Sequence, residues 1–157
     1  MKKINIDKIE WTEHRSPKGK FHLYFQDVAG EMKKTKSGPD LPSPPPFEVA
    51  PVRMPPGAAN FPFHSHSEMW EYYLIISGAG TMRAGKRRVK IKAGDWLVNP
   101  PGEPHQIINT GDEDLVYYVI ANNVGTDVCT YPDSDKWAGL GFGTFRLERT
   151  NYYDGEE

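Results

Sequence analysis

The sequence predicts an all-β chain, a sandwich or barrel of short strands. Three observations lead there. Gly and Pro are plentiful, 15 and 14 in 157 residues, which suits many tight connections. Apolar, β-branched and aromatic runs are short, and turn signals separate them about every eight to twelve residues. No amphipathic stretch long enough for a substantial helix interrupts them.

The elements follow in order. Residues 1–20 are polar, with Ile4, Ile6, Ile9 and Trp11 as anchors. Phe21–Val28 reads as a strand with Phe21, Leu23 and Phe25 on one face. Residues 33–46 read as a linker holding Gly38, Pro39, Pro42 and the run Pro44, Pro45, Pro46. Consecutive prolines favour an extended chain and cannot pair inside a sheet. Phe47–Met54 is a strand in which Pro51 predicts an edge or a bulge. Tyr72–Ile76 is a strand that ends at Ser77 and Gly78. Residues 78–94 read as a hairpin turning near Ala84 and Gly85, its basic side chains alternating with Val89 and Ile91 on a half-exposed face. Trp96 and Val98 alternate with Leu97 and Asn99. Leu115–Ala121 is the most apolar strand and a wall of the core. Thr126–Tyr131 reads as one more strand, and beyond it only Thr144–Leu147 has strand character.

The totals exclude several function classes. A formal net charge of −2 gives no electrostatic support for binding nucleic acid. No apolar run reaches the 18 or so residues of a membrane helix. The N-terminal segment is charged without an apolar core, so it does not read as a signal peptide. The single cysteine, Cys129, excludes an intrachain disulfide and favours a reducing compartment. The expectation is a cytoplasmic protein whose partner is a small molecule.

The chemistry concentrates in residues 61–71. His64 and His66 sit one residue apart, and Glu71 follows. On a helix, positions i and i+2 point about 200° apart and could hardly share an ion. On a strand they share a face, roughly 6.5 to 7 Å apart along the chain, and their rings can lean together. Downstream, a second strand-like segment runs into the turn at Pro100, Pro101 and Gly102, and His105 follows. Three histidines and a glutamate at the ends of neighbouring strands would complete a metal site.

These residues resemble the cupin superfamily. The first cupin motif is matched by Gly57, His64, His66, Glu71 and Gly78, with six residues between Gly57 and His64 rather than the usual five. The second is matched at every spacing by Gly94, Pro100, Gly102, His105 and Asn109. The resemblance covers roughly residues 47–122. It implies a double-stranded β-helix of jelly-roll type and the ligand set His64, His66, Glu71 and His105. It also implies a homodimer, in which small cupins often use an N-terminal strand. The organisation expected is an arm and Pro-rich linker over 1–46, the barrel over 47–131, and a C-terminal extension over 132–157, all one structural domain.

Three imidazoles and a carboxylate suit Fe, Mn, Ni, Co or Zn as the divalent ion. Four protein ligands on an octahedral ion leave two positions open for a substrate. The resemblance implies a metal-dependent dioxygenase, isomerase or decarboxylase acting on a small oxygen-rich molecule such as a sugar, keto acid or catechol. The alternative is a non-enzymatic binding or sensor module with a structural metal. Glu68 and Tyr73 are candidates for proton handling. Arg53, Arg83, Trp96 and Asn109 are candidates for substrate contact.

Overall fold

The computed structural model describes residues 1–35, 38–40, 42, 45–139 and 141–157. The chain is mostly strand. Its elements are β1 (Thr12–Arg15), β2 (His22–Phe25), α1 (Val28–Lys34), β3 (Phe47–Met54), β4 (Ser65–His66), β5 (Glu71–Ser77), β6 (Ala79–Ala84), β7 (Arg87–Lys92), β8 (Trp96–Asn99), β9 (His105–Ile108), β10 (Leu115–Asn122), β11 (Val128–Tyr131), β12 (Lys136–Gly139) and β13 (Thr144–Phe145). One wall is a six-stranded sheet in the order β1-β2-β3-β10-β5-β8. The other consists of β7-β6-β9 and β13-β12-β11-β4. The bridge from His64 to His105 joins those two pieces, and Ala59, bridged to Ile108 and to Phe21, links β9 to the chain just before β2. The result is the all-β jelly-roll barrel.

Period-2 alternation fills the interior. Tyr73 and Ile75 of β5, Leu115 and Tyr117 of β10, and Val52 and Met54 of β3 point inward and are buried. They meet Met82, Ile91 and Ile107 from the opposite wall and Leu23 from β2. Gly78 makes the tight corner between β5 and β6. Its φ is +77°, and a Cβ there would sit 2.5 Å from the Asp114 carbonyl oxygen.

Several local expectations need correcting. The strand at Phe21–Val28 stops at Phe25, because the Asp27 side chain accepts from the Gly30 N–H at 2.8 Å and caps the short helix α1. The linker's first two residues, Lys33 and Lys34, belong to that helix. Of the proline run, Pro44 lies outside the described residues. Pro51 produces no bulge: β3 pairs without a break along β10 from Phe47 to Met54. Its carbonyl accepts from Gln26, so its missing N–H faces the side where β2 is ending. The irregularity lies instead between Val116 and Tyr117, where β10 meets β5. Val89 is 46% exposed while Ile91 is buried, so only one of the two alternating residues of β7 reaches the core. The tail contains β12, which has few strand-forming residues. It exists because residues 131–136 turn back on themselves, with Asp135 at φ +49°, and lay Trp137 beside Thr130.

The N-terminal segment is tied down by a buried glutamine. Gln26 Nε2 donates to the carbonyls of Ile6 and Ile9 at 3.1 and 2.6 Å. Ile6, Ile9 and Trp11 then line a groove with the outward residues Pro51, Val116 and Tyr118 of the six-stranded wall.

Candidate metal centre

Four strand ends place the four sequence-predicted ligands. His64 lies just before β4 and exchanges backbone hydrogen bonds with His105, the first residue of β9. His66 lies on β4, opposite Cys129 of β11. Glu71 opens β5 between Ala121 of β10 and Asn99 of β8. The turn before β9 is pinned to β4 by the Gly102 N–H, which donates to the His66 carbonyl at 2.7 Å. Gly102 has a φ of +81°, a backbone state that favours glycine.

The side chains converge. One potential ligand atom from each of His64, His66, Glu71 and His105 lies within 4.8 Å of all the others. His105 Nε2 is 2.6 Å from Glu71 Oε2, and His66 Nε2 is 3.6 Å from the same oxygen. The far ring nitrogens all have acceptors. His64 Nδ1 donates to the Pro62 carbonyl at 2.8 Å, His105 Nδ1 to the Glu103 carbonyl at 3.0 Å, and His66 Nδ1 to Asp127 Oδ2 at 2.6 Å. A carbonyl only accepts, so neutral His64 and His105 carry their proton on Nδ1 and turn the Nε2 lone pair inward.

The inner atoms lack partners. His66 Nε2, His105 Nε2 and Glu71 Oε2 are buried without a hydrogen bond. Buried polar atoms are normally satisfied, and leaving one alone costs about 1–3 kcal/mol. A cation among them would satisfy all three at once. The residues therefore fit a divalent ion held by three imidazoles and a carboxylate.

Electrostatics agrees with that donor set. Burial, with His105 and His66 close by, lowers the His64 pKa to about 4, so its ring is neutral at ordinary pH. Burial pushes the Glu71 carboxyl up, but the imidazoles of His105, His66 and His64 outweigh it and hold the carboxyl below its usual value. Glu71 is thus held ionised, and His64 faces it as a neutral imidazole.

Above these atoms opens a cavity of about 310 Å³. His64, His66 and Glu71 form its floor, with Phe61, Pro62, Met69, Val119, Ala121, Cys129 and Tyr131 on the walls and Glu48 beside them. No lysine or arginine is among its described lining residues. The Cys129 thiol is pushed up to about 11 by burial and by the Asp127 and Glu71 carboxylates, so it stays protonated.

The other sequence candidates lie elsewhere. Arg53 stacks on Trp11 and Tyr24 and faces Asp114, on the outer side of β3. Arg83 makes a two-pronged pair with Asp133 at 2.6 and 2.8 Å. Trp96 is 60% exposed on the outer face of β8. Asn109 is fully buried, donating to the Met54 and Glu113 carbonyls and accepting from Gly111, so it pins loops at the end of the barrel. Glu68 accepts from Thr126 at the surface. Tyr73 does approach the site, with its ring 6.3 Å from His105. Burial and the Glu71 carboxylate push its hydroxyl well above 10, so it stays protonated.

Sequence reasoning missed Asp127, Cys129 and Tyr131 as site residues. The signal was present as parity: the three alternate along 127–131, and β11 lies directly beside His66. Their shared face was legible; its pairing partner was not.

Residues 51–121 match the family model of the cupin domain. Over this stretch the barrel matches a cupin domain. Over 69 residues, 44% of this chain and 56% of the relative, it is 37% identical to an oxalate-binding protein of Thermotoga maritima. The chain spans about half the length, or less, of the curated relatives it matches. Among solved cupin structures it resembles a sugar phosphate isomerase of Silicibacter pomeroyi, with TM-score 0.72 and 22% identity over 98% of this chain and 94% of that one. It also resembles a predicted oxalate decarboxylase of Thermotoga maritima, with TM-score 0.61 and 25% identity over 77% of this chain and 98% of that one.

Proposed function

We propose that this cupin holds one divalent transition metal, Fe, Mn, Ni, Co or Zn, on His64, His66, Glu71 and His105, and that it is a metal-dependent enzyme acting on a small oxygen-rich molecule. The observation that carries the reading is the set of three buried, unpartnered ligand atoms under an open cavity. A bound ion would supply Lewis-acid or redox chemistry to a substrate oxygen. The chain's own residues define the rest. Phe61, Pro62, Met69 and Val119 give the cavity an apolar wall that excludes water. The neutral hydroxyl of Tyr73 beside Glu71 can hold a proton next to the ligand carboxylate.

The cavity narrows the substrate class. Its volume suits a molecule of a few carbons, and its described lining offers no cation for a phosphate. A small carboxylate or keto acid, bound by its oxygens to the ion, fits better than a sugar phosphate. The resemblance to an oxalate-binding protein and to a predicted oxalate decarboxylase supports that class. The test is calorimetric titration of the metal-loaded protein with oxalate, keto acids, catechol and sugars, followed by product analysis. Binding of a small carboxylate that disappears in His64→Ala/His66→Ala supports the reading. Tight binding with the ligand recovered unchanged would favour the second reading, a binding module, to which the name of the oxalate-binding relative also points.

We further propose that the protein is a homodimer. The outer face of the six-stranded wall carries apolar rows, Leu74 between Tyr118 and Trp96, and Tyr72 between Ile120 and Val98. Phe47, Trp70, Tyr72 and Trp96 are 61%, 46%, 45% and 60% exposed. At 150–250 Å² per aromatic side chain they present roughly 400 Å², about half of what each partner buries in a standard interface. The flanking aliphatic residues supply more. The single cysteine suits a reducing compartment, and on that ground we place the protein in the cytoplasm.

A further inference from the structure

His66 differs from the other two histidines in what holds it. His64 and His105 are oriented by backbone carbonyls, which no substitution removes. His66 Nδ1 instead meets a side chain, Asp127 Oδ2, at 2.6 Å. Asp127 is itself held in place. Its other oxygen, Oδ1, accepts from the backbone N–H of Glu68 at 2.9 Å and of Met69 at 3.2 Å, and from Ser67 Oγ at 3.3 Å. Both carboxylate oxygens are thus committed, one to the loop after β4 and one to the ring. The Asp127 side chain is only 10% exposed.

We infer that Asp127 is a positioning residue of the metal centre: it holds His66 as the Nδ1–H tautomer, with the Nε2 lone pair aimed at the ion. The inference rests on the metal-binding reading and extends it to a residue outside the ligand set. A carboxylate accepting from the far nitrogen of a ligating imidazole fixes the ring's tautomer and orientation and raises its basicity. Without Asp127 the ring would have one neighbour at Nδ1, the Cys129 sulfur at 3.4 Å, a weak acceptor. Asp127, Cys129 and His66 also lie close enough to suggest a second ion of their own. That reading fails on this geometry. Asp127 Oδ1, Asp127 Oδ2 and His66 Nδ1 already have hydrogen-bond partners, whereas the unpartnered atoms of His66, Glu71 and His105 lie on the other side of the ring.

Asp127→Asn separates positioning from simple anchoring. Three donors converge on Oδ1, so the amide oxygen takes that place and keeps the loop tied. The amide nitrogen then faces His66 Nδ1, and two N–H groups cannot face each other. The ring must move its proton to Nε2, where it blocks the ligand position. The experiment compares wild type, Asp127→Asn and Asp127→Ala by three readouts: ¹⁵N shifts of the His66 ring without metal, Co(II) affinity by chelator competition, and the melting temperature without metal. In wild type the His66 proton is on Nδ1. In Asp127→Asn it moves to Nε2, and Co(II) affinity falls ten- to a hundredfold while the metal-free melt stays close to wild type. Asp127→Ala loses affinity and stability together. An Asp127→Asn protein that keeps the Nδ1–H signal and binds Co(II) like wild type overturns the inference. If wild type itself binds no Co(II), the metal reading fails, and the ring shifts still decide whether Asp127 sets the His66 tautomer.

Discussion

His105 Nε2 lies 2.6 Å from Glu71 Oε2 while His105 Nδ1 donates to the Glu103 carbonyl. A bare lone pair on Nε2 would repel the carboxylate at that distance, so the approach calls for a positive charge, a proton or a metal ion, between the two atoms. The backbone bonds between His64 and His105 and the pairing of Glu71 with Ala121 and Asn99 fix the strands that carry the residues. The fold thus holds the two atoms where a cation satisfies both.

Metal removal should cost stability. An ion present at 100 times its dissociation constant stabilises by about 2.7 kcal/mol. For a domain of this size that corresponds to about 5–11 °C in melting temperature. Scans with and without chelator, with Mn(II) or Co(II) restored afterwards, check this.

The metal-free protein should weaken in mild acid. His64 titrates near pH 4 when folded and near 6.5 when unfolded. Between those values the unfolded chain binds the extra proton, so stability falls as pH drops from 6.5 toward 4. The loss from His64 alone is on the order of 3 kcal/mol. Glu71 acts in the same direction at lower pH, because its folded pKa is depressed and its contribution disappears as it protonates. Urea denaturation at pH 7.5 and 4.5 measures the slope, and His64→Gln should flatten it.

Arg83→Ala should leave metal and ligand binding unchanged. The residue's guanidinium is spent on Asp133 at the surface, and exposed pairs of this kind contribute about 1 kcal/mol or less. A large loss of ligand affinity in this variant would return Arg83 to the binding site.

Gly78→Ala and Gly57→Ala should differ. Both glycines have positive φ, +77° and +78°, so both substitutions incur the left-handed backbone cost of about 1–2 kcal/mol. Only at Gly78 does a new Cβ meet the backbone, 2.5 Å from the Asp114 carbonyl, whereas nothing lies within 4 Å at Gly57. Thermal melts should show Gly78→Ala as clearly the worse of the two, and equal losses would remove the packing explanation.

On the proposed dimer face, Trp96→Glu should shift the protein to monomer in analytical ultracentrifugation while its far-ultraviolet circular dichroism stays that of wild type. The charge lands on a residue that is 60% exposed, on the outer face of β8 beside Leu74.

The barrel and the clustering of its candidate ion-binding residues were legible because they are written in local patterns. His64 and His66 share a face only on a strand, and the turn chemistry around Gly102 fixes where His105 emerges. Strands β5, β7 and β10 follow from alternation and turn residues. What stayed hidden depends on pairing between distant segments. Asp127 and Tyr131 become site residues only because β11 docks beside β4, and β12 exists only because its hairpin partner does. The arginines were misleading for the same reason: their charge suggested substrate, and only the fold shows Asp114 and Asp133 beside them.

The most direct test is elemental analysis of the purified protein beside His64→Ala/His66→Ala, each confirmed folded by circular dichroism. Close to one transition-metal ion per chain is expected in wild type and almost none in the double variant. A wild-type protein that holds no metal after reconstitution with Fe, Mn, Ni, Co and Zn, and melts identically with chelator, would contradict it.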